Sequence, residues 1–307
     1  MSKVAVFGSF VVDLMARSPH LPVPGETVKG SMFKMGPGGK GFNQCVAAHK
    51  AGADVVMITK LGRDNFANVA LDTMDELNMP KDHILFSDDK ETGIALILVD
   101  ENTSQNEIII VPGACNTITA DEVKGIESVI KESEYVLIQL EVNQDANEMV
   151  VDLANKYGCK VIVNTAPYVP ISDSFLSKVY MVTPNEVEAE SMTGVAVKDL
   201  ESGKQAAKYF HDRGIEIVII TLGSRGVFVS YDGKAEIIPA FKVNAIDTTG
   251  AGDAFNGGLL AALAEGMDIW QAVRFSNALA AISVQRLGTT PSMPTREEID
   301  AFLEANK

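Results

Sequence analysis

Hydrophobic positions along the chain fall into short apolar runs alternating with longer amphipathic stretches, the pattern of strands feeding helices around a parallel sheet. The run Val4-Ala5-Val6-Phe7-Gly8-Ser9-Phe10 comes first, and its first four residues suit a strand buried on both faces. Residues 54–60 and 66–77 repeat the unit as strand and helix. From residue 119 the rhythm is regular. A helix ends near Ser133, a strand over 135–140 runs into Glu141, a helix covers 146–157, and a strand over 160–163 ends at Asn164. Further strands are expected at 179–183, 215–221, 227–231 and 235–239, followed by an alternating strand-like run over 237–246. Helices are expected over 255–263 and 269–286, and again at the end of the chain.

Two stretches break this rhythm. Residues 17–35 begin rich in Pro and Gly and then alternate loosely, and residues 92–99 and 107–111 are β-rich runs around the polar loop 100–106. The expectation is an α/β main body over residues 1–12, 36–90 and 113–307, with a small sheet from two insertions, 13–35 and 91–112. Such a sheet closes over a ligand to exclude water, or pairs with a second copy and hides its edges.

Composition narrows the function. The 307 residues suffice for a large core. Lys and Arg number 26 against 41 Asp and Glu, and the net charge of −15 disfavours nucleic acid as a partner. Cys45, Cys115 and Cys159 are odd in number and lack metal-ligand spacing, which points to reduced thiols rather than disulfides or zinc. No charged start followed by an apolar run precedes Val4, and no apolar stretch is long enough for a bilayer, so a soluble cytoplasmic protein is expected.

The chemistry concentrates in Asp247-Thr248-Thr249-Gly250-Ala251-Gly252-Asp253-Ala254-Phe255-Asn256-Gly257-Gly258, where a helix starts near Gly250. Its first amides, on Gly250, Ala251 and Gly252, would be unpaired and point outward, which suits an anion. Asp253 inside that positive mouth is stabilised by the helix dipole whatever its role. Its functional reading is a general base, with the amides holding the charge that grows on a transferred phosphoryl group. Gly36-Pro37-Gly38-Gly39-Lys40-Gly41-Phe42-Asn43-Gln44 is not a Walker loop. It reads either as a tight strand-to-helix turn or as backbone brought against a polar ligand, with Lys40 and Asn43 as donors. Gly8-Ser9-Phe10-Val11-Val12-Asp13 stands where a dinucleotide fold carries its glycine fingerprint, and this counts against a nicotinamide cofactor. Asp13, Glu141 and Asn164 fall at strand ends, the ligand edge of an open α/β sheet. Asn185 and Glu188, three apart after Pro184, read as a capped helical turn or as a pair orienting water on Mg²⁺. Thr221, Gly223 and Ser224 fit a phosphate site or a plain turn.

Taken together, Gly38 to Gln44, Thr183-Pro184-Asn185-Glu186-Val187-Glu188, Thr221-Leu222-Gly223-Ser224-Arg225-Gly226 and the Asp247 segment resemble the ribokinase family of carbohydrate kinases, in the right order and over nearly the whole chain. The resemblance implies a three-layer α/β/α sandwich around a mostly parallel sheet with a small β lid, ATP-dependent transfer of phosphate to a sugar, and a homodimer joined through the lids. It implies Asp253 as base and Gly250, Ala251 and Gly252 as anion hole. Asp13, Gly39, Lys40, Asn43 and Glu141 would hold the sugar. Asn185, Glu188, Thr221 and Gly223 would surround ATP phosphates and Mg²⁺, the latter through water, and Asn277 would flank the adenine. For K⁺ the implied ligands are Asp247, Thr249, Ser283, Arg286, Gly288 and Ser292, several through backbone carbonyls.

One departure bears on the sugar. Ribokinases proper carry Asn at the place of Val11, and Val offers no side-chain hydrogen bond. Together with Gln139-Leu140-Glu141-Val142 this resembles the deoxyribokinase branch. Alternatively Val11 turns into the core and ribose is held by the other groups. A pentose kinase is expected, with fructose or another ketose, a nucleoside, or a non-catalytic sugar-binding regulator as alternatives.

Overall fold

Val4 and Val6 belong to one apolar cluster and Ala5 and Phe7 to another, so strand β1 (Val4–Phe7) must lie between two layers. The computed structural model, which describes residues 2–103 and 105–307, supplies both. The further strands are β2 (Val11–Ser18), β3 (Met32–Gly38), β4 (Val55–Gly62), β5 (Ile84–Ser87), β6 (Thr92–Asp100), β7 (Asn106–Gly113), β8 (Tyr135–Gln139), β9 (Lys160–Asn164), β10 (Met181–Val182), β11 (Ile217–Thr221), β12 (Val227–Tyr231) and β13 (Lys234–Ile238). The helices are α1 (Lys40–Lys50), α2 (Ala67–Glu76), α3 (Ala120–Gly125), α4 (Glu127–Glu132), α5 (Gln144–Lys156), α6 (Asp173–Leu176), α7 (Glu186–Thr193), α8 (Leu200–His211), α9 (Ala251–Ala264), α10 (Ile269–Ser283) and α11 (Arg296–Ala305).

Nine strands form the main sheet in the order β13-β12-β11-β10-β9-β8-β1-β4-β5. It is parallel except for β12 and β13 at one edge. Helices α1, α2, α9, α10 and α11 bury against one face and α3 to α8 against the other, the expected three-layer sandwich. Strands β3-β2-β6-β7 form a separate four-stranded sheet. Its apolar side chains are poorly covered, with Phe33, Ile108, Ile109, Ile110 and Val111 all at least half exposed. Ser104, in the expected hairpin loop, lies outside the described residues.

The chain crosses between the sheets through a narrow waist. At Gly39 (φ +87°) a Cβ would sit 2.9 Å from Phe10 Cα, and at Gly113 (φ +56°) one would sit 2.4 Å from the Glu91 carbonyl. Only glycine fits such a backbone and such a gap. Cys115 pins the crossing from the main-body side, its Sγ 3.3 Å from Phe10 N and within 3.3 Å of the Phe10 and Lys60 carbonyls. All three cysteines are buried and free.

Three sequence expectations need correction. The first strand ends at Phe7 as expected, but Asp13 lies inside β2, a strand of the small sheet, rather than at a strand end. The alternation over 237–246 is not a strand beyond Ile238. Pro239 cannot donate to a ladder. Beyond it Phe241 stacks edge-on against Phe302 at 5.1 Å, so α11 explains that apolar position. Strand β10 is only two residues long, although Tyr180 N and Thr183 N continue the bonding to the Val161 and Val163 carbonyls.

Helices α1 and α9 run side by side because their facing residues are small. A Cβ on Gly257 would lie 2.4 Å from both Ala47 Cβ and the Gln44 carbonyl. Gly257→Ala should therefore force the helices apart and lower stability by about 1–3 kcal/mol. Denaturant unfolding checks this, and an unchanged midpoint would contradict the close contact.

Candidate active site

The contact between α1 and α9 brings two helix starts together at the waist. Gly250 caps α9 in the left-handed conformation (φ +75°). Among the described residues its amide and that of Gly252 make no hydrogen bond. Ala251 N, expected to be free, instead donates to the Thr248 carbonyl at 3.2 Å, because the turn before the helix folds back on itself. Asp253 in the first turn is 7% exposed. Asn43 Nδ2 donates to its Oδ2 at 3.1 Å and Gln44 Nε2 to its Oδ1 at 2.9 Å, both from α1.

Carboxylates gather on the waist side of Asp253. Glu141 accepts from Lys40 N at 2.9 Å at the start of α1, and from Ser9 Oγ. Asp13 lies over Gly38, where a Cβ would be 2.2 Å from its Oδ1. Burial, with Glu141 and Asp253 close by, pushes the Asp13 carboxyl up to about 7. Val11 is buried and, two residues from Asp13 on β2, shares its face of the small sheet. Gly39 joins this group to α1. Burial lowers the Lys40 ammonium, but Asp253, Glu141 and Glu188 outweigh it and hold the group above its ordinary value.

On the other side of Lys40 a cavity of about 190 Å³ is lined by Asn164, Thr183, Asn185, Glu188, Thr221 and the segment Gly250 to Asp253. Asn185 caps α7, and its N and Nδ2 both donate to Glu188, at 3.0 and 2.9 Å. The capped turn is therefore real, and the Glu188 carboxyl still faces the cavity, raised by burial. Gly223 and Ser224 form a short 3-10 turn just past β11 and do not line the cavity. Nor does Asn277, buried in α10 with Nδ2 3.5 Å from the Pro239 carbonyl.

A second loop packs on the anion mouth. Asp247 accepts from Thr249 N and Gly288 N, both at 2.9 Å. Burial opposes the ionised form, but these amides hold its carboxyl below the ordinary range. Ser283 and Ser292 spend their hydroxyl protons on the Ala280 and Thr289 carbonyls, and Arg286 is paired with Glu298 at 2.6 Å. What remains for a monovalent cation is an ionised carboxylate and backbone carbonyls, a hard oxygen set that fits K⁺. Among the described residues no cluster of three carboxylate, His or Cys ligands forms, so Mg²⁺ would depend on a single carboxylate such as Glu188 together with nucleotide phosphates and water.

Sequence reading passed over several residues here. Gln44, Gln139, Asn256 and Thr290 are all buried. Gln139 Nε2 donates to Gln44 Oε1 at 2.7 Å, Thr290 Oγ1 to Asn43 Oδ1 at 3.0 Å, and Asn256 Nδ2 to the Gly252 carbonyl at 2.8 Å. For Gln44 and Asn256 the available signal was an amide on a helix face otherwise built of Phe42, Cys45, Val46 and Ala47, or of Ala254, Phe255 and Leu259, while Gln139 in β8 and Thr290 in a short turn carried none. Elsewhere, a depression of about 240 Å³ near His211 offers little chemistry, since both ring nitrogens are engaged, by the Ile215 carbonyl and Ser230 Oγ. Among the described residues no helix is long and apolar enough to cross a membrane.

The chain is similar to known proteins over nearly its whole length. Residues 1–296 match the family described as pfkB family carbohydrate kinase. The chain is 42% identical to the ribokinase of Haemophilus influenzae over 301 residues, covering 98% of each, and 33% identical to the deoxyribokinase of Salmonella typhi, covering 99% of each. It superposes on the Arabidopsis thaliana ribokinase complexed with ribose and ATP with a TM-score of 0.92 at 28% identity, covering 99% of each chain. The chain belongs to the pfkB family of carbohydrate kinases.

Proposed function

We propose that this ATP-dependent sugar kinase transfers the γ-phosphoryl group to the 5-hydroxyl of a pentose, ribose or 2-deoxyribose, with Asp253 as the base. The observation that carries the reading is Asp253 itself, buried at the start of α9 beside Lys40, between the carboxylates of the waist and the cavity. Similarity to both a ribokinase and a deoxyribokinase supports a pentose.

Phosphoryl transfer is chiefly a matter of position and charge. Asp13, Gly39, Lys40, Asn43 and Glu141 hold the sugar hydroxyls, and Val11 lies against its 2-position. Asp253 accepts the proton, and the Gly250, Ala251 and Gly252 amides hold the growing charge once Ala251 N turns from Thr248. Asn185, Glu188 and Thr221 attend the nucleotide phosphates from the cavity wall, and Gly223, Ser224 and Asn277, which lie outside it, would meet the nucleotide only where it extends beyond the cavity, Asn277 beside the adenine. A triphosphate entering beside Glu188 and Asp253 needs cations, which supports Mg²⁺ held through water by Glu188. K⁺ would be held by Asp247, Thr249, Ser283, Arg286, Gly288 and Ser292, supplying positive charge next to the anion mouth. The small sheet acts as lid, and its uncovered apolar residues support a homodimer through it.

Release of ADP with Mg-ATP and K⁺, comparing ribose, 2-deoxyribose, fructose and inosine, tests the reading; turnover of neither pentose would sink it. Asp253→Asn should keep sugar binding and lose about 10²–10⁴-fold in kcat, and a near-normal rate would remove Asp253 as base. Val11→Asn should shift kcat/KM toward ribose over 2-deoxyribose by about tenfold or more, and an unchanged ratio would mean that Val11 does not read the 2-position. The raised Asp13 carboxyl gives a pH dependence. A charged acceptor binds hydroxyls more strongly, so the sugar KM should fall as pH rises through about 7, and Asp13→Asn should flatten the profile. The same shift is linked to stability. The Asp13 contribution is full below the unfolded value of 3.8 and is lost as pH rises through about 7. Asp13→Asn should therefore raise the unfolding temperature more at pH 8 than at pH 4.

A further inference from the structure

We propose that Gln44 is the positioning residue for Asp253, fixing the direction from which its carboxylate accepts the proton; this rests on the reading of Asp253 as the base. Gln44 is fully buried on α1. Both Nε2 hydrogens are committed, one to Asp253 Oδ1 at 2.9 Å and one to Asn164 Oδ1 at 3.0 Å, while Oε1 accepts from Gln139 Nε2 at 2.7 Å. The amide has one workable orientation, since reversing it would set its oxygen against two acceptors. The two anchors are themselves held. Asn164 Nδ2 donates to the Thr183 carbonyl at 2.9 Å. Gln139 is seated against Gly8, where a Cβ would lie 1.9 Å from its Oε1. Asp253 is thereby fixed to the ends of β8 and β9, strands of the rigid sheet.

Asn43, on the other carboxylate oxygen, differs in kind, because it sits beside Lys40 in the group assigned to the sugar. Gln44 has no donor left for a ligand, so it serves catalysis only through Asp253. Its loss should lower kcat and leave substrate affinities nearly unchanged.

The test measures kcat and both KM values for Gln44→Met, Asp253→Asn and the double variant, with thermal unfolding of each. Gln44→Met should lose at least tenfold in kcat, with KM for sugar and ATP within about threefold of wild type. The double variant should be no slower than Asp253→Asn alone, since Gln44 then has no base to direct. A normal kcat in Gln44→Met, or losses that multiply in the double variant, would overturn the proposal. A near-normal rate in Asp253→Asn would instead remove the base reading, a separate result. If Gln44→Met does not fold, Gln44→Glu decides. It keeps the acceptor for Gln139 and places a second carboxylate against Asp253, so the acidic limb of kcat should move to higher pH by about one unit or more. An unmoved limb overturns the proposal, and so does failure of both variants to fold, which would make Gln44 purely structural.

Discussion

One half-buried ammonium, Lys40, stands among the carboxylates of the waist. Three carboxylates, Asp253, Glu141 and Glu188, act on it, and a fourth, Asp13, is close enough to Glu141 and Asp253 to feel their repulsion. Gathering like charges where water is scarce opposes folding, and nothing in the apolar layers requires it. The arrangement persists because backbone geometry delivers these groups to one place. Glu141 follows β8, Lys40 begins α1, Glu188 lies in the first turn of α7 and Asp253 in that of α9. Glu141, Glu188 and Asp253 each find amide or hydroxyl donors there, which lessens the cost of their charge.

The two apolar layers explain why the site is rigid enough to use. Alternate residues of the central strands enter opposite clusters, so a strand end cannot shift without disturbing both. Side chains just past those ends inherit that fixity. The helices at the waist gain their approach differently, by having almost no side chains where they touch, as Gly257 does against Ala47. Stiffness thus comes from large residues beneath the sheet ends and from missing ones between the helices.

Much of this was legible in the sequence, because periodicity reports burial and glycine clusters report close backbone approach. The main strands, the capped turn at Asn185 and the helix start at Gly250 follow from local pattern alone. The errors have different causes. Phe241 alternates as a strand residue would, yet its burial comes from a helix more than fifty positions away, which a local window does not see. Ala251 N was expected to be free by counting helical turns, but the preceding loop supplied the Thr248 carbonyl. Gln44 and Gln139, 95 positions apart, carry no local sign of their bond. Val11 was left between core and site by its chemistry, and the structure adds that it is buried and shares a face of the small sheet with Asp13.

The waist governs what motion the molecule can make. Backbone meets backbone there with no side chain between, at Gly39 against Phe10, at Gly113 against Glu91 and at Gly93 against the Pro112 carbonyl. Strands pressed together so closely resist sliding, because any lateral step drives an atom into a carbonyl, whereas rotation about the contact line leaves the spacings nearly constant. A tilt of the small sheet about this line would keep those spacings, and Val11 and Asp13, on the part of β2 nearest the main body, would move less than the strand ends beyond them.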